Sequence, residues 1–299
     1  MGSITKTFGF LGETEKYRSR DGGISWRGPC PKCGGEDRFL MFTDMAYPDW
    51  NFQCSLCGYK GWVHQITGEE SNNGYHGHSA DIKRLKEEKE RKAKENYKKF
   101  AKTGLWVRFH ENLTVNGRWY WSERGISEEN IDYWMLGEHD YLLNGTSHHT
   151  YTIPKWEGMQ VKNIDYRFDE VPEEGGRYRS HPGLRPACMV CDKKPEQSSV
   201  LVVEGAIKAM VTFQELEREH QVIGVPSATS YPDIKRLVKP YDEITVILDP
   251  DAVEQARSLA EDLGGHYIDL PTKIDDGFVD YGMTKKAFEN IYAYSRRRT

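Results

Sequence analysis

All six cysteines of this 299-residue chain fall in Cys-x2-Cys pairs, at Cys30/Cys33, Cys54/Cys57 and Cys188/Cys191. The first two pairs are twenty residues apart, the spacing of a closed tetrahedral metal site. Gly34-Gly35 and Gly58 trail their pairs and free the backbone to curl toward the thiolates as knuckles. Four thiolates fill the coordination sphere of zinc and leave no position for a substrate, so a zinc held this way is structural. Cys188 and Cys191 have His181 nearby in sequence but no evident fourth ligand, and they read as free thiols.

Seven aromatic residues surround the first two pairs: Trp26, Phe39, Phe42, Trp50, Phe52, Tyr59 and Trp62. Two roles are open to them. They can fill a small core around the metal, or, among Arg38 and Lys60, stack on single-stranded bases. A polar stretch from Ser71 to Ser79 then reads as a flexible connection. Residues 82–102 lack Gly and Pro and have almost no apolar face, which predicts a solvated helix laced with Glu/Lys pairs.

Charge is distributed unevenly. The net value is −5, yet residues 71–104 carry ten basic against five acidic side chains, and residues 196–299 carry twelve against eighteen. A chain that coats nucleic acid uniformly would be basic throughout, so contact with a polyanion must use local patches. The acidic C-terminal block suits the holding of cations. No run approaches the roughly 18 apolar residues of a membrane helix, and the N-terminus has no signal-like stretch, so the expected location is the cytoplasm.

Residues 105–195 read as mixed α/β. A helix is expected over 122–137 with Ser127 as a cap, and a hairpin pairs 150–156 with 160–168 around Glu157-Gly158. From Ser199 apolar strands alternate with helical stretches: VLVVE (200–204), VIGV (222–225), ITVILD (244–249) and HYIDLP (266–271). Such alternation predicts a parallel sheet wound with helices. Glu204 ends the first strand, and Asp249 and Asp251 follow the third. Open α/β sheets bind ligands at the carboxyl ends of their strands. Carboxylates converging there repel one another and need a divalent cation such as magnesium, whose other ligands are typically phosphate oxygens.

Residues 200–276 resemble the TOPRIM domain, with Glu204-Gly205 as its glutamate motif and Asp249-Pro250-Asp251 as its DxD motif. Upstream, SERGIS (122–127), DYRF (165–168) and GRYRSHP (176–182) resemble the polymerase subdomain of DnaG-type and phage primases. RGPCPKCGGEDRF and FQCSLCGYKGW resemble their zinc domain. The resemblance implies four segments: a zinc-ribbon β domain (1–70), a charged helical linker (71–104), an α/β polymerase subdomain (105–195) and TOPRIM (196–299). It implies synthesis of RNA primers on single-stranded DNA from ribonucleoside triphosphates, with magnesium or manganese, beside a separate replicative helicase and away from any membrane; a phage-encoded chain would work in the host cytoplasm. Arg124, Arg167, Arg177 and Tyr178 match positions that hold template and triphosphate, with Arg179 as an additional cation. Glu204, Asp249, Asp251 and Asp275 are the implied metal ligands.

One departure stands out. Where the family often has an aspartate four residues after the glutamate, this chain has Lys208. A compact ammonium there is expected to stand in for a second ion, contacting the triphosphate or pairing with Asp275. Two other functions use the same parts: a TOPRIM nuclease, and a non-enzymatic zinc-ribbon DNA-binding protein on a decayed TOPRIM scaffold.

Overall fold

The computed structural model describes residues 5–8, 12–18, 24–36, 38–42, 50–67, 78–173, 176–191 and 198–296. The chain divides into two compact units, Met1–Glu87 and Glu88–Thr299. His76 and most of the polar stretch from Ser71 lie outside the described residues, as do Arg297 and Arg298.

The first unit is an antiparallel meander of six strands in chain order. They are β1 (Thr5–Phe8), β2 (Gly12–Arg18), β3 (Ile24–Gly28), β4 (Phe39–Phe42), β5 (Asn51–Cys54) and β6 (Lys60–Trp62), followed by a short helix α1 (Val63–Thr67). Its core is small: Cys30, Phe39, Met41, Phe52, Cys54 and Val63 are buried, with Trp26, Trp50 and Tyr59 packed around them. Phe39 and Phe52 stack at 4.9 Å, so these two rings are core and not a platform for bases.

The charged helix α2 (His78–Ala101) runs from the first unit into the second and starts four residues earlier than expected. Its final turns are solvated on one side only. Phe100 is buried beside Phe109, Ile164 and Tyr166, and the Asn96 amide donates to the Gly183 carbonyl at 3.0 Å. Two aromatic positions in an otherwise charged helix were enough to anchor it.

The helix expected over 122–137 is two helices. After α3 (Leu105–Glu111), α4 covers Val115–Glu123 and α5 covers Glu128–Tyr133. The chain breaks at Gly125, which takes φ +78 and has no room for a Cβ, since one would meet Val279 at 2.3 Å. Ser127 caps α5 by accepting from Asn130 N–H, as its sequence position suggests.

A four-stranded antiparallel sheet follows, ordered β10-β9-β8-β7 from β7 (Gly137–Leu143), β8 (Thr146–Glu157), β9 (Gln160–Phe168) and β10 (Tyr178–Ser180). The expected hairpin is β8–β9. The last sheet is ordered β11-β13-β12-β14-β15, from β11 (Met189–Val190), β12 (Ser199–Glu204), β13 (Gln221–Val225), β14 (Glu243–Ile247) and β15 (His266–Tyr267). Strands β12 to β15 are parallel, and β11 adds an antiparallel edge that the sequence reading lacked. HYIDLP pairs over only two residues. Helices α6 (Ala206–Glu215), α7 (Ile234–Val238), α8 (Val253–Leu263), α9 (Ile274–Val279) and α10 (Lys285–Ser295) complete the unit.

Strand β12 is apolar throughout because both faces are covered. Leu201 and Val203 enter one core with Trp121, Ile153 and Phe213, whereas Val200 and Val202 enter another with Val238 and Leu259. Cys188 and Cys191 are divided the same way, Cys188 in the second core and Cys191 in the first. Both thiols are buried, on opposite sides of the sheet. Among the described residues, no helix is long and apolar enough to cross a membrane.

Burial holds His139, His181, His220 and His266, all in this unit, below the ordinary imidazole value of 6.5. The unfolded imidazoles therefore take up protons at a pH where the folded ones do not, and the unit loses stability as pH falls below about 6.5. Urea unfolding should show a lower midpoint at about pH 5.5 than at about pH 7.5, a window set by imidazole titration. Equal midpoints would mean that these rings are not desolvated.

Candidate functional site

In the first unit the two knuckles are built alike. Gly34 N–H donates to the Cys30 carbonyl at 2.9 Å, and Gly58 N–H to the Cys54 carbonyl at 3.1 Å. Both glycines are left-handed, at φ 70 and 69, which explains their place after each pair. The thiols face one another across the knuckles, with Sγ separations of 3.8 Å for Cys30–Cys57 and for Cys33–Cys54. Tetrahedral Zn–S bonds of about 2.3 Å require sulfur–sulfur edges of about 3.8 Å. All four ligand atoms lie within 4.8 Å of one another, a set that fits a structural zinc.

The second candidate lies at the carboxyl ends of the parallel strands. Glu204 terminates β12, and Gly205, at φ 85, turns the chain into α6 while its N–H donates to the Val225 carbonyl at 2.7 Å. The turn can press on β13 because residue 224 is glycine: a Cβ there would meet the Gly205 carbonyl oxygen at 2.5 Å. Asp249 follows β14 and opens a single 3-10 turn, Pro250–Ala252, which holds Asp251 at the surface. Asp275 sits in the first turn of α9.

Lys208, one turn into α6, grips Asp249 with its ammonium 2.9 Å from Oδ1 and 3.0 Å from Oδ2. The pairing with Asp275 expected from the sequence is not made; Asp275 Oδ1 is buried with no hydrogen-bond partner. Burial, and then the charge of Asp249, raise the Glu204 carboxyl above its ordinary range, with Lys208 opposing. Burial likewise raises Asp275 against the pull of Lys208. For Lys208 itself burial acts downward, but Asp249 outweighs it and the ammonium is held above its usual value. These carboxyls are short of positive charge, so hard oxygen ligands and an orphaned oxygen fit a divalent cation by chemistry. They are not gathered as tightly as the cysteines: among the described residues, no three of them bring ligand oxygens within 4.8 Å of one another.

A cavity of about 470 Å³ connects this cluster to the antiparallel sheet. Glu204, Lys208 and Asp275 line one side, and Arg124, Arg167, Arg177 and Tyr178 another. Arg167 is buried in β9 and set over the rings of Tyr120 and Tyr178 at 5.2 and 5.8 Å, with its Nε donating to Tyr178 OH at 3.1 Å. Arg124 lies over the same Tyr120 ring at 5.5 Å. Its loop is tied down by Gln214 of α6, whose amide donates to Gly125 O and whose Oε1 accepts from Ser127 N–H. Arg179 is absent from the lining, because strand residues alternate and it leaves β10 on the face opposite Tyr178. Asp249 is not among the lining residues but is paired to two that are, Lys208 and Lys273, and Asp251 is exposed.

Three lining residues escaped the sequence reading: Lys155, Asp165 and Lys273. Lys155 is 2% exposed and paired to Asp165 at 2.8 Å. Its signal was available, since it shares a period-two face with Tyr151 and Ile153, both core residues. A second cavity of about 390 Å³, beside Tyr97 and Cys188, collects none of the expected site residues.

No family model and no curated protein matches the sequence. Solved structures do. The zinc-binding and RNA polymerase domains of the Aquifex aeolicus primase match 98% of this chain and 80% of their own, with a TM-score of 0.52 and 16% identity. The DnaG catalytic core covers 64% of this chain and 77% of its own (TM-score 0.49, 15% identity). The primase fragment of the bacteriophage T7 primase-helicase covers 89% and 98% (TM-score 0.44, 13% identity). At these identities the likeness is one of fold, and the statement rests on the first: the chain folds as primase zinc-binding and polymerase domains do.

Proposed function

We propose that this chain is a primase that makes short RNA primers on single-stranded DNA from ribonucleoside triphosphates, with residues 196–299 as a TOPRIM domain and 105–195 as the preceding polymerase subdomain. The observation that carries the reading is one cavity lined both by three arginines and by Glu204, Lys208 and Asp275. A triphosphate needs forked cations for its oxygens, and a nucleotidyl transfer needs an acidic cluster for a divalent ion; few other reactions need both in one place.

In this reading Arg124, Arg167 and Arg177 hold the triphosphate. Arg167 is already fixed by its rings, so little side-chain freedom is lost when phosphate binds. Tyr178, 47% exposed at the rim, offers a face to a base. Glu204, Asp249, Asp251 and Asp275 are the residues that would hold magnesium or manganese, which neutralises phosphate charge when bound. The 3′-hydroxyl of the growing strand then displaces pyrophosphate from the α-phosphorus. The zinc module lies outside this chemistry and serves template recognition, and a separate helicase supplies the single strand. A TOPRIM nuclease would use the same carboxylates but has no need of the arginine side.

Incubation with single-stranded DNA, labelled ribonucleotides and magnesium or manganese should yield short RNA products that require the template. Cleaved template without RNA would favour the nuclease; neither product would leave a binding protein.

A further inference from the structure

Lys208 and a divalent ion make the same demand on Asp249. The ammonium is within 3.0 Å of both carboxylate oxygens and engages a lone pair on each, so a metal at either oxygen must share it with the ammonium. An ion bound to either oxygen at about 2.1 Å would lie within a few ångströms of the ammonium, where like charges repel strongly in a site this desolvated. The two side chains of the pair are only 15% and 13% exposed, so water screens the conflict little. Lys273 stands 3.9 Å from the same carboxylate and adds to it.

An alternative partner for Lys208 is already present. Asp275 Oδ1 is buried without a hydrogen bond, and Asp275 and Lys208 feel each other's charge. The lysine ammonium sits on a flexible four-carbon stem that can re-aim it.

We propose that Lys208 is a resident cation that closes the acidic cluster by holding Asp249, and that a divalent ion binds only by displacing it toward Asp275. The inference rests on reading Asp249 as a metal ligand. It makes ion binding weaker than the carboxylates alone would allow, and couples it to a movement of one side chain.

The test is Mn²⁺ binding to the zinc-loaded full chain, followed by electron paramagnetic resonance of the free ion. Lys208→Met keeps the length and removes the charge. It should bind Mn²⁺ about tenfold more tightly than wild type, within the usual range for coupled sites. Without added divalent ion the same zinc-loaded variant should melt lower than wild type, because Asp249 is left enclosed without a partner, and Mn²⁺ should restore it. Equal or weaker Mn²⁺ binding by Lys208→Met overturns the proposal.

A second measurement needs no loss of the lysine. The Lys208 Nζ resonance, assigned by its disappearance in Lys208→Arg, should be protected from exchange without Mg²⁺ and should shift on titration. An Nζ signal unchanged at saturating Mg²⁺ also overturns it. Asp249→Asn separates the two levels of inference. If it binds Mn²⁺ like wild type, Asp249 is no ligand and the underlying reading falls. If it binds weakly while Lys208→Met is unchanged, only the competition is wrong.

Discussion

Removing zinc from the four-cysteine site should melt the N-terminal unit and leave Glu88–Thr299 folded. Among the described residues of the first unit, the hydrophobic core holds six buried side chains, two of them thiols of the cluster itself. Cores of this size do not sustain a fold without a metal or disulfides. Structural zinc contributes on the order of 10–16 kcal/mol in small modules, more than the whole stability of an ordinary domain. Cys54→Ser combined with Cys57→Ser, or a strong chelator, should therefore abolish protection from amide exchange across β3 to β6. The cores around Leu201 and Val202 should keep theirs. Elemental analysis should give one zinc per chain in the wild type and none in the variant. Zinc retained by the double variant, or a zinc-free unit that stays protected, would falsify the assignment. Primer initiation should suffer more than extension of a supplied primer, because a metal held by four thiolates has no open position for the chemistry.

The other large effect is expected at the acidic cluster. Glu204→Gln, Asp249→Asn and Asp251→Asn should each lower primer synthesis on the order of a thousandfold, the loss that follows when several kcal/mol of metal-borne stabilisation is withdrawn. The three should differ in stability, and that difference identifies their roles. Glu204 is enclosed beside the charge of Asp249 and carries a raised pKa, so its charge costs folding energy and the amide should raise the melting temperature. Asp249→Asn should lower it, since Lys208 is left largely buried without its counter-charge. Asp251 is exposed, and its amide should melt as wild type does. An amide variant that retains near-normal synthesis would remove that residue from the site.

Much of this was legible in the chain. The knuckles could be read because zinc dictates both the spacing and the left-handed glycines Gly34 and Gly58. The parallel sheet could be read because β12 is apolar at every position from Val200 to Val203, a pattern only a doubly covered strand tolerates. What stayed hidden depends on contacts between distant positions. The break at Gly125 is enforced by Val279, and Arg124 is placed by Gln214, neither of which any local period reveals. Lys155 was passed over because a lysine in a strand usually marks the wet face, and only its pairing with Asp165 makes burial tolerable. The end of α2 misled for a similar reason, as two rings among fourteen charged neighbours barely alter its average character.

Gly224 lies in the middle of the sheet, far in sequence from the residues that would do chemistry, yet the carbonyl of Gly205 occupies the space its side chain would need. Strand and turn are thus fitted as lock and bolt. A single added methyl would be absorbed neither by the apolar layers on either side nor by solvent. It would move the peptide that carries Glu204. Position 224 therefore belongs with the acidic residues in what it constrains, although it bears no functional group, and substitutions there and at Glu204 are expected to behave as changes to one site.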